Sequence, residues 1–195
     1  MKLRHAMVIM SIVWRSIFAA ESDVDGMAKR VYATDNNTGK IFAIIDKVTA
    51  KLNLYDSSGN LMATSSVLVG QTLGDASVPG IGDRRIQDIA EHERTTPAGR
   101  FQSQPGMNLS GETVVWIDYE AAVSMHKLRP SKSGDKRPER MASDTPLDNR
   151  ITYGCVNVPV DFYEKWIQPT LGKEAGIIYI LPETQSAMNV FLFLR

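Results

Sequence analysis

The chain has 195 residues, enough for one ordinary domain and too few for two comfortable ones. Hydrophobic residues make up 43% of the chain and charged residues 23%, which is typical of a globular protein. The formal net charge is zero, so the overall charge gives no indication of a nucleic-acid partner.

The amino terminus has the outline of a secretory signal peptide. Lys2, Arg4 and His5 precede the apolar stretch 6–14, and two alanines follow at 19–20. A basic start and a short apolar core predict a signal peptide over residues 1–20, with an amphipathic terminal helix as the alternative. Because a membrane span needs about 20 apolar residues, we expect no stable membrane anchor.

Residues 21–40 are polar and are interpreted as a lead-in to the folded domain. Alternating apolar residues then predict a series of strands, with a turn at 56–60. A longer connecting segment, the excursion 71–94, is predicted to end in a charged helix at 84–94. The predicted strands are 41–46, 51–55, 61–69, 113–117 and 176–181. The first three indicate a β-meander.

One helix is predicted after residue 155. Pro159 suits a first helical turn, and the pairs Phe162/Trp166 and Tyr163/Ile167 fall four residues apart, as on the buried face of a helix. Residues 183–195 are interpreted as a carboxyl-terminal tail, and its apolar stretch 191–194 is expected to serve packing rather than function. The fold class predicted from the sequence is therefore mostly β with one main helix.

Cys155 is the only cysteine, so it forms no internal disulfide and is either a buried hydrophobic residue or a nucleophile. Gly154 permits a positive φ and a close backbone approach. Thr152, Tyr153 and Asn157 add polar groups on both sides of the thiol. These neighbours slightly favour the nucleophile over the core cysteine.

A nucleophilic thiol needs a base, and histidine is the usual one. The chain has three histidines. His5 lies in the predicted signal peptide and His92 in a charged run typical of an exposed surface, which leaves His126 as the candidate base. Because no cysteine–histidine cluster has metal-ligand spacing, no metal or other cofactor is expected.

The order of residues excludes several classes of cysteine enzyme. Papain-like and NlpC/P60-like hydrolases place the cysteine before the histidine, and no histidine follows Cys155. Sortases need an arginine shortly after the cysteine, whereas only Arg195 follows it here.

The motifs together resemble the L,D-transpeptidase catalytic domain of bacterial cell-wall enzymes. That family has a histidine, a spacer, and then a Ser/Thr-His-Gly-Cys-apolar-Asn/Arg run, which is similar to His126 followed by Thr152–Asn157. It also has a Thr-Pro-x-Gly-x-Phe turn, matched by Thr96–Phe101. The resemblance covers about residues 41–182 and implies a β-sandwich or open-barrel fold.

The resemblance also implies a reaction. Cys155, deprotonated by His126, would form a thioester with a peptidoglycan stem peptide and release the terminal D-alanine in the periplasm or cell envelope. The backbone N–H groups of Gly154 and Cys155 would bind the oxyanion. The carbonyl of Lys127 would orient the histidine.

Substrate contacts are expected from Arg150, Tyr153 and Asn157, and Thr152 could either contact the stem or hold the loop. The basic segment 127–143 could bind an anionic stem. Two features depart from the family pattern: Tyr153 replaces a second histidine, and the spacer 127–151 has 25 residues, more than usual. Hydrolysis of the thioester, exchange with a free amino acid, and wall binding without catalysis stay open as alternatives. The sequence carries no signal for the acyl acceptor or for the oligomeric state.

Overall fold

The structure is a computed structural model that describes residues 23–129 and 134–195; the predicted signal peptide lies outside these ranges. The described segments form short strands and helices. The strands are β1 Phe42–Asp46, β2 Lys51–Tyr55, β3 Leu61–Ser66, β4 Val69–Gly70, β5 Gly99–Gln102, β6 Gln104–Met107, β7 Thr113–Asp118, β8 Val123–Lys127, β9 Arg150–Thr152, β10 Val156–Val158 and β11 Ile177–Ile180. The helices are α1 Val24–Ala33, α2 Arg137–Met141, α3 Val160–Phe162 and α4 Ala187–Val190.

Two sheets form the body of the fold. The first sheet has the strand order β3-β2-β1-β11-β5, and the second has the order β10-β8-β7-β6. Strands β4 and β9 form a small additional pair. The β-meander predicted at 41–69 is confirmed as β1, β2 and β3, and the mostly β, sandwich-type fold class is confirmed with it.

The main core lies between the two sheets. Every residue of β1 is buried, because alternate side chains enter different cores. Ala43 and Ile45 pack toward the second sheet, where they meet Val115 and Met125. Phe42 and the other alternate residues face the opposite side of the first sheet.

A helix covers that opposite side, which corrects the interpretation of residues 21–40 as a lead-in. Asp23 caps α1 by accepting a 2.7 Å hydrogen bond from the Gly26 N–H. Met27 and Val31, four residues apart, are buried against the first sheet. The polar composition of the segment concealed a narrow apolar stripe.

The helix predicted after Cys155 is present but short. Pro159 precedes α3, and Tyr163–Ile167 continues it as a π-helical turn whose widening is marked by the 2.7 Å hydrogen bond from Gln168 N–H to Tyr163 O. Phe162, Tyr163 and Ile167 are buried in the main core, as the spacing predicted. No helix in the described residues is long and apolar enough to cross a membrane.

The excursion after β4 does not form the helix expected at 84–94. It contains three single 3₁₀ turns, Ile81–Asp83, Ile86–Asp88 and Glu91–Glu93, with few buried side chains to support a longer helix. The excursion is held by Lys47, whose ammonium is fully buried and donates hydrogen bonds to Gly74 O at 2.5 Å, Asp75 Oδ1 at 2.9 Å and Thr96 O at 2.9 Å.

Candidate active site

Cys155 directly precedes β10 and is partly exposed. Its sulfur has two polar neighbours, Ser124 Oγ and Ala122 O, each 3.7 Å from Sγ. Most of the chain's apolar strand residues are fully buried, so a partly exposed thiol among polar groups differs from a core cysteine. This placement favours a reactive role over a packing role.

Gly154 allows the chain to turn immediately before the thiol. Its φ is +126°, a conformation that residues with a side chain rarely adopt. A Cβ at this position would lie 2.7 Å from the backbone oxygen of Thr95. The glycine is therefore required both by the backbone conformation and by the close approach of the segment that contains Thr95.

Two buried threonines fix this turn. Thr96 donates a 2.8 Å hydrogen bond to Gly154 O and accepts one of 2.8 Å from the Gly70 N–H. Thr152 donates to Cys155 O at 2.6 Å and accepts from the Gly154 N–H at 3.1 Å. The Thr96–Phe101 motif thus packs against the cysteine turn, and the hydroxyl of Thr152 holds the turn.

His126 lies on β8, beside the strand that follows the cysteine. Strands β8 and β10 are parallel and pair His126 with Asn157 and Met125 with Val156. Because paired residues point to the same side of a sheet, Met125 and Val156 enter the core while His126 and Asn157 share the outer face. Ser124 and Cys155 lie two residues before His126 and Asn157, respectively, and so share that face with them.

Both nitrogens of the His126 ring have hydrogen-bond partners. Nδ1 lies 2.9 Å from Lys127 O, and Nε2 lies 3.1 Å from Asn157 Nδ2. Burial lowers the pKa of His126; the bond to Lys127 O acts in the opposite direction, and the positive charge of Arg129 lowers it further. The imidazole is therefore favoured in its neutral form, the form that can accept a proton.

His126 and Cys155 are diagonal neighbours on the outer face of the sheet. In the described part of the chain, neither ring nitrogen is hydrogen-bonded to Sγ. The contact that proton transfer from Cys155 to His126 would need is thus not formed in this conformation. The lone pair of Nε2 is instead occupied by the Asn157 amide.

Arg150 occupies a different place from the substrate-binding position expected for it. Its guanidinium pairs with Glu183 and donates to Lys47 O at 3.2 Å, and its side chain is only 9% exposed. Such a charge is already satisfied by a buried carboxylate and is not available to a ligand. The position next to the cysteine motif was misleading because Glu183 and Lys47, the partners of Arg150, are distant in sequence and meet it only in the folded chain.

Tyr153 is partly buried and packs under the guanidinium of Arg94, whose Cζ lies 4.0 Å from the centre of the ring. Arg94 in turn donates to Gln71 Oε1 and to Ile89 O. The contact between Tyr153 and Arg94 therefore joins the cysteine turn to the excursion 71–94. It supplies no imidazole at the position where the family often has one.

Three basic side chains of the segment 127–143 have acidic partners among the described residues. Lys127 pairs with Glu164, and Arg129 pairs with Glu112 at 2.7 Å. Arg137 donates both to Asp135 Oδ2 and to the side-chain Oδ1 of Asn157, each at 3.1 Å. The sequence indicated a basic segment but not this contact, because Arg137 and Asn157 are 20 residues apart and meet only in the folded chain.

Ser124 is the site residue that the sequence analysis missed. It is 5% exposed, and its hydroxyl lies beside the cysteine sulfur. The signal was its spacing: two residues before His126 on a strand, Ser124 must face the same side of the sheet as the histidine.

No protein-family model matches the chain, and no curated protein matches it. Among solved structures, it is similar to the helical cell shape determining protein Pgp2 from Campylobacter jejuni, at 15% identity and a TM-score of 0.46 over 75% of this chain and 49% of that one. An L,D-transpeptidase from Mycobacterium smegmatis gives 14% identity and a TM-score of 0.44 over 72% of this chain and 58% of that one.

The catalytic domain of an E. faecium L,D-transpeptidase gives 16% identity and a TM-score of 0.42, over 73% of this chain and 98% of that domain. This chain thus spans about half of Pgp2 and under two thirds of the M. smegmatis protein. At this low identity, the solved structures do not indicate which reaction this chain carries out.

Proposed function

We propose that this protein is a cysteine acyltransferase of the L,D-transpeptidase type that acts on peptidoglycan stem peptides. The observation that carries the proposal is the partly exposed Cys155, presented by the Gly154 turn on the same sheet face as a neutral His126. The order of His126, Thr152–Asn157 and the Thr96–Phe101 turn supports the same assignment. The catalytic domain is taken to include the predicted range 41–182.

The reaction would begin when His126 Nε2 takes the proton of the Cys155 thiol, for which Nε2 must first release the Asn157 amide. The thiolate attacks the carbonyl carbon that precedes the terminal D-alanine, and a C–S bond forms. The C–N bond then breaks, and D-alanine leaves with the proton from His126. An acceptor amine then attacks the thioester carbon, so that a new C–N bond forms and the C–S bond breaks, and the proton lost by the amine passes through His126 to restore the Cys155 thiol.

The oxyanion of the tetrahedral intermediate needs an N–H donor. Of the two donors expected from the sequence, the Gly154 N–H is already engaged by Thr152 at 3.1 Å. We therefore assign the Cys155 N–H to the oxyanion. Gly154 contributes through its backbone conformation, since no other residue fits that turn.

The first test is acylation by a carbapenem, followed by intact mass. We expect one adduct on the wild-type protein and none on Cys155→Ala. His126→Ala should slow acylation about 100-fold or more, because a general base typically contributes that much. His92→Ala is the matched control, because His92 is exposed and should leave the rate unchanged. A wild-type protein with no adduct, and with thiol reactivity that Cys155→Ala does not alter, would contradict the proposal.

Incubation with a tetrapeptide muropeptide, followed by mass analysis of the products, shows what becomes of the thioester. A cross-linked dimer that has lost D-alanine supports transfer, whereas tripeptide alone supports hydrolysis. Incorporation of a free D-amino acid supports exchange. An unchanged substrate would indicate a wall-binding module without catalysis.

Export belongs to the same proposal, because the substrate lies in the cell envelope and residues 1–20 have the pattern of a signal peptide. We expect an envelope fraction to contain chain shortened at its amino terminus. Recovery of only the full-length chain from the cytosol would count against export.

A further inference from the structure

The side chain of Asn157 links the candidate base to the basic segment. Its Nδ2 lies 3.1 Å from His126 Nε2, and its Oδ1 lies 3.1 Å from Arg137 Nη1. Asn157 is 1% exposed and His126 is 8% exposed, while the side chain of Arg137 is 20% exposed. The three groups therefore form a chain of hydrogen bonds that runs from near the surface to the imidazole.

The chemistry of the partners fixes every proton in this chain. A guanidinium only donates, so the atom of Asn157 that faces Arg137 must be the carbonyl oxygen, and the amide nitrogen must face the ring. At the other ring nitrogen, the Lys127 carbonyl only accepts, so Nδ1 carries a hydrogen. Nε2 consequently accepts from Asn157 and carries no hydrogen.

Protonation of Nε2 would oppose this arrangement. Two N–H groups would then face each other across 3.1 Å, unless the Asn157 amide rotated to present its oxygen to the ring. Rotation would turn the amide nitrogen toward Arg137 and remove an acceptor from a guanidinium that also needs Asp135. Leaving these partly buried groups unsatisfied is costly, so Arg137 resists the rotation.

Other charges near the ring act through space. Arg129 and Arg137 disfavour the imidazolium, Glu112 favours it, and burial disfavours it most of all. Asp135 pairs with Arg137 and offsets part of its charge. Cys155 lies on the same side of the sheet, next to Ser124 rather than against the ring. Any test of the hydrogen-bond chain must therefore separate the Arg137 contact from the simple effect of removing a positive charge.

We propose that Arg137, acting through Asn157, is a positioning residue that holds His126 neutral in the resting site, with its proton on Nδ1 and an unprotonated Nε2 that can act as the base once the Asn157 amide has released it. The inference rests on the proposed function only for the use of that lone pair. The basic segment would thus act on His126 through Asn157, in addition to any contact with an anionic stem peptide.

The test is NMR titration of the His126 ring in the full chain, with ¹⁵N-labelled imidazoles assigned by comparison with His126→Gln. In the wild type we expect the neutral ring to be protonated at Nδ1, which is the minor tautomer of free histidine. Arg137→Met should raise the pKa of His126 and allow the Nε2–H tautomer to appear.

Arg129→Met is the matched control, because it removes one positive charge near the ring without touching Asn157. The expected upward shift of the His126 pKa is larger for Arg137→Met than for Arg129→Met. Arg137→Gln, which can still donate to Asn157 Oδ1, should restore the Nδ1–H tautomer. Equal shifts in the two methionine variants, or a wild-type ring protonated at Nε2, would overturn the inference.

Asn157→Asp provides an independent test if Arg137→Met does not fold. A carboxylate presents only acceptors to Nε2 and should favour the imidazolium, so the pKa of His126 should rise. An unchanged pKa would count against the link between Asn157 and His126. The titration needs no activity, so a carbapenem adduct without these shifts contradicts only this inference. Shifts without an adduct would contradict the proposed function instead.

Discussion

The turn that presents Cys155 is held by two threonine hydroxyls and shaped by one glycine. Thr96 and Thr152 each bridge a donor and an acceptor of the turn, so four polar groups are satisfied away from water. Gly154 lets the backbone pass against Thr95. We therefore expect the side chain of Cys155 to tolerate substitution, whereas Gly154, Thr96 and Thr152 should tolerate little change.

Gly154→Ala should therefore lower both stability and acylation. The new Cβ would meet a backbone oxygen that cannot rotate away, and a φ of +126° is strained for alanine. We expect a loss of about 2 kcal/mol or more in the free energy of unfolding, as for strained backbone positions. Urea unfolding and the rate of carbapenem adduct formation measure the two effects.

Gly80→Ala is the control for backbone strain alone. Gly80 also has a positive φ, of +72°, but a Cβ there would meet nothing within 4 Å. The expected cost is about 1 kcal/mol, with an unchanged acylation rate. If both variants behave alike, close packing at Gly154 is not what makes the glycine necessary.

At the scale of elements, the central strands β1 and β11 of the first sheet are buried on both faces. The second sheet covers one face, and α1 together with the carboxyl-terminal segment covers the other. Phe191 is 2% exposed and packs on Tyr179, with ring centroids 6.0 Å apart. The tail predicted to serve packing therefore belongs to a second core.

Phe191→Ala should destabilise the protein by about 3–5 kcal/mol, as large aromatic deletions in cores do. Leu192→Ala, one residue further on, changes a side chain that is 65% exposed and should cost no more than about 0.5 kcal/mol. Urea unfolding of the two variants gives the comparison. Similar small costs would mean that the carboxyl-terminal segment does not contribute to the folded core.

At the scale of the whole molecule, a buried charge cluster joins segments that are distant in sequence. Lys47 contacts Asp75 at 2.9 Å and Glu183 at 3.5 Å, and Glu183 also binds Arg150. Two positive and two negative groups thus balance, which burial requires. The cluster ties the first sheet, the excursion after β4, β9 and the segment after β11 to one another.

This cluster predicts a loss of stability in acid. Burial raises the pKa of Asp75, but hydrogen bonds from Thr184, Lys47 and the backbone outweigh burial and lower the pKa to about 2. A carboxyl group with a lowered folded pKa stabilises the protein above its ordinary pKa of 3.8, and this contribution is lost as the pH falls toward 2. The contribution at neutral pH is about 2 kcal/mol.

Urea unfolding of the wild type and Asp75→Asn between pH 7 and pH 2 measures this effect. The variant should be less stable at pH 7, and the difference should shrink as the pH falls through the interval below 4. Glu120→Gln is a control, because Glu120 is an exposed carboxylate outside the cluster. A difference that stays constant with pH would contradict the assigned role of Asp75.

Local patterns predicted the strands well, because alternation reports directly which face of a strand is buried. The β2 bounds are those predicted, Lys51–Tyr55, and the helix after Pro159 begins where expected. Composition misled at residues 21–40, since three buried residues of α1 suffice to dock a helix that is otherwise polar. It misled again at 84–94, where charged residues suggested a helix, although Ile89 is the only buried residue of that segment.

The sequence by itself determined the sheet-forming segments, the single thiol and the glycine before it. It also determined which histidine is the best candidate for the base, because all of these follow from residue type and spacing. Tertiary structure alone decided which groups meet. It placed Arg150 in a buried ion pair, Ser124 beside the sulfur and Arg137 behind Asn157. Such contacts depend on strand register and on distant segments, and no local pattern encodes either.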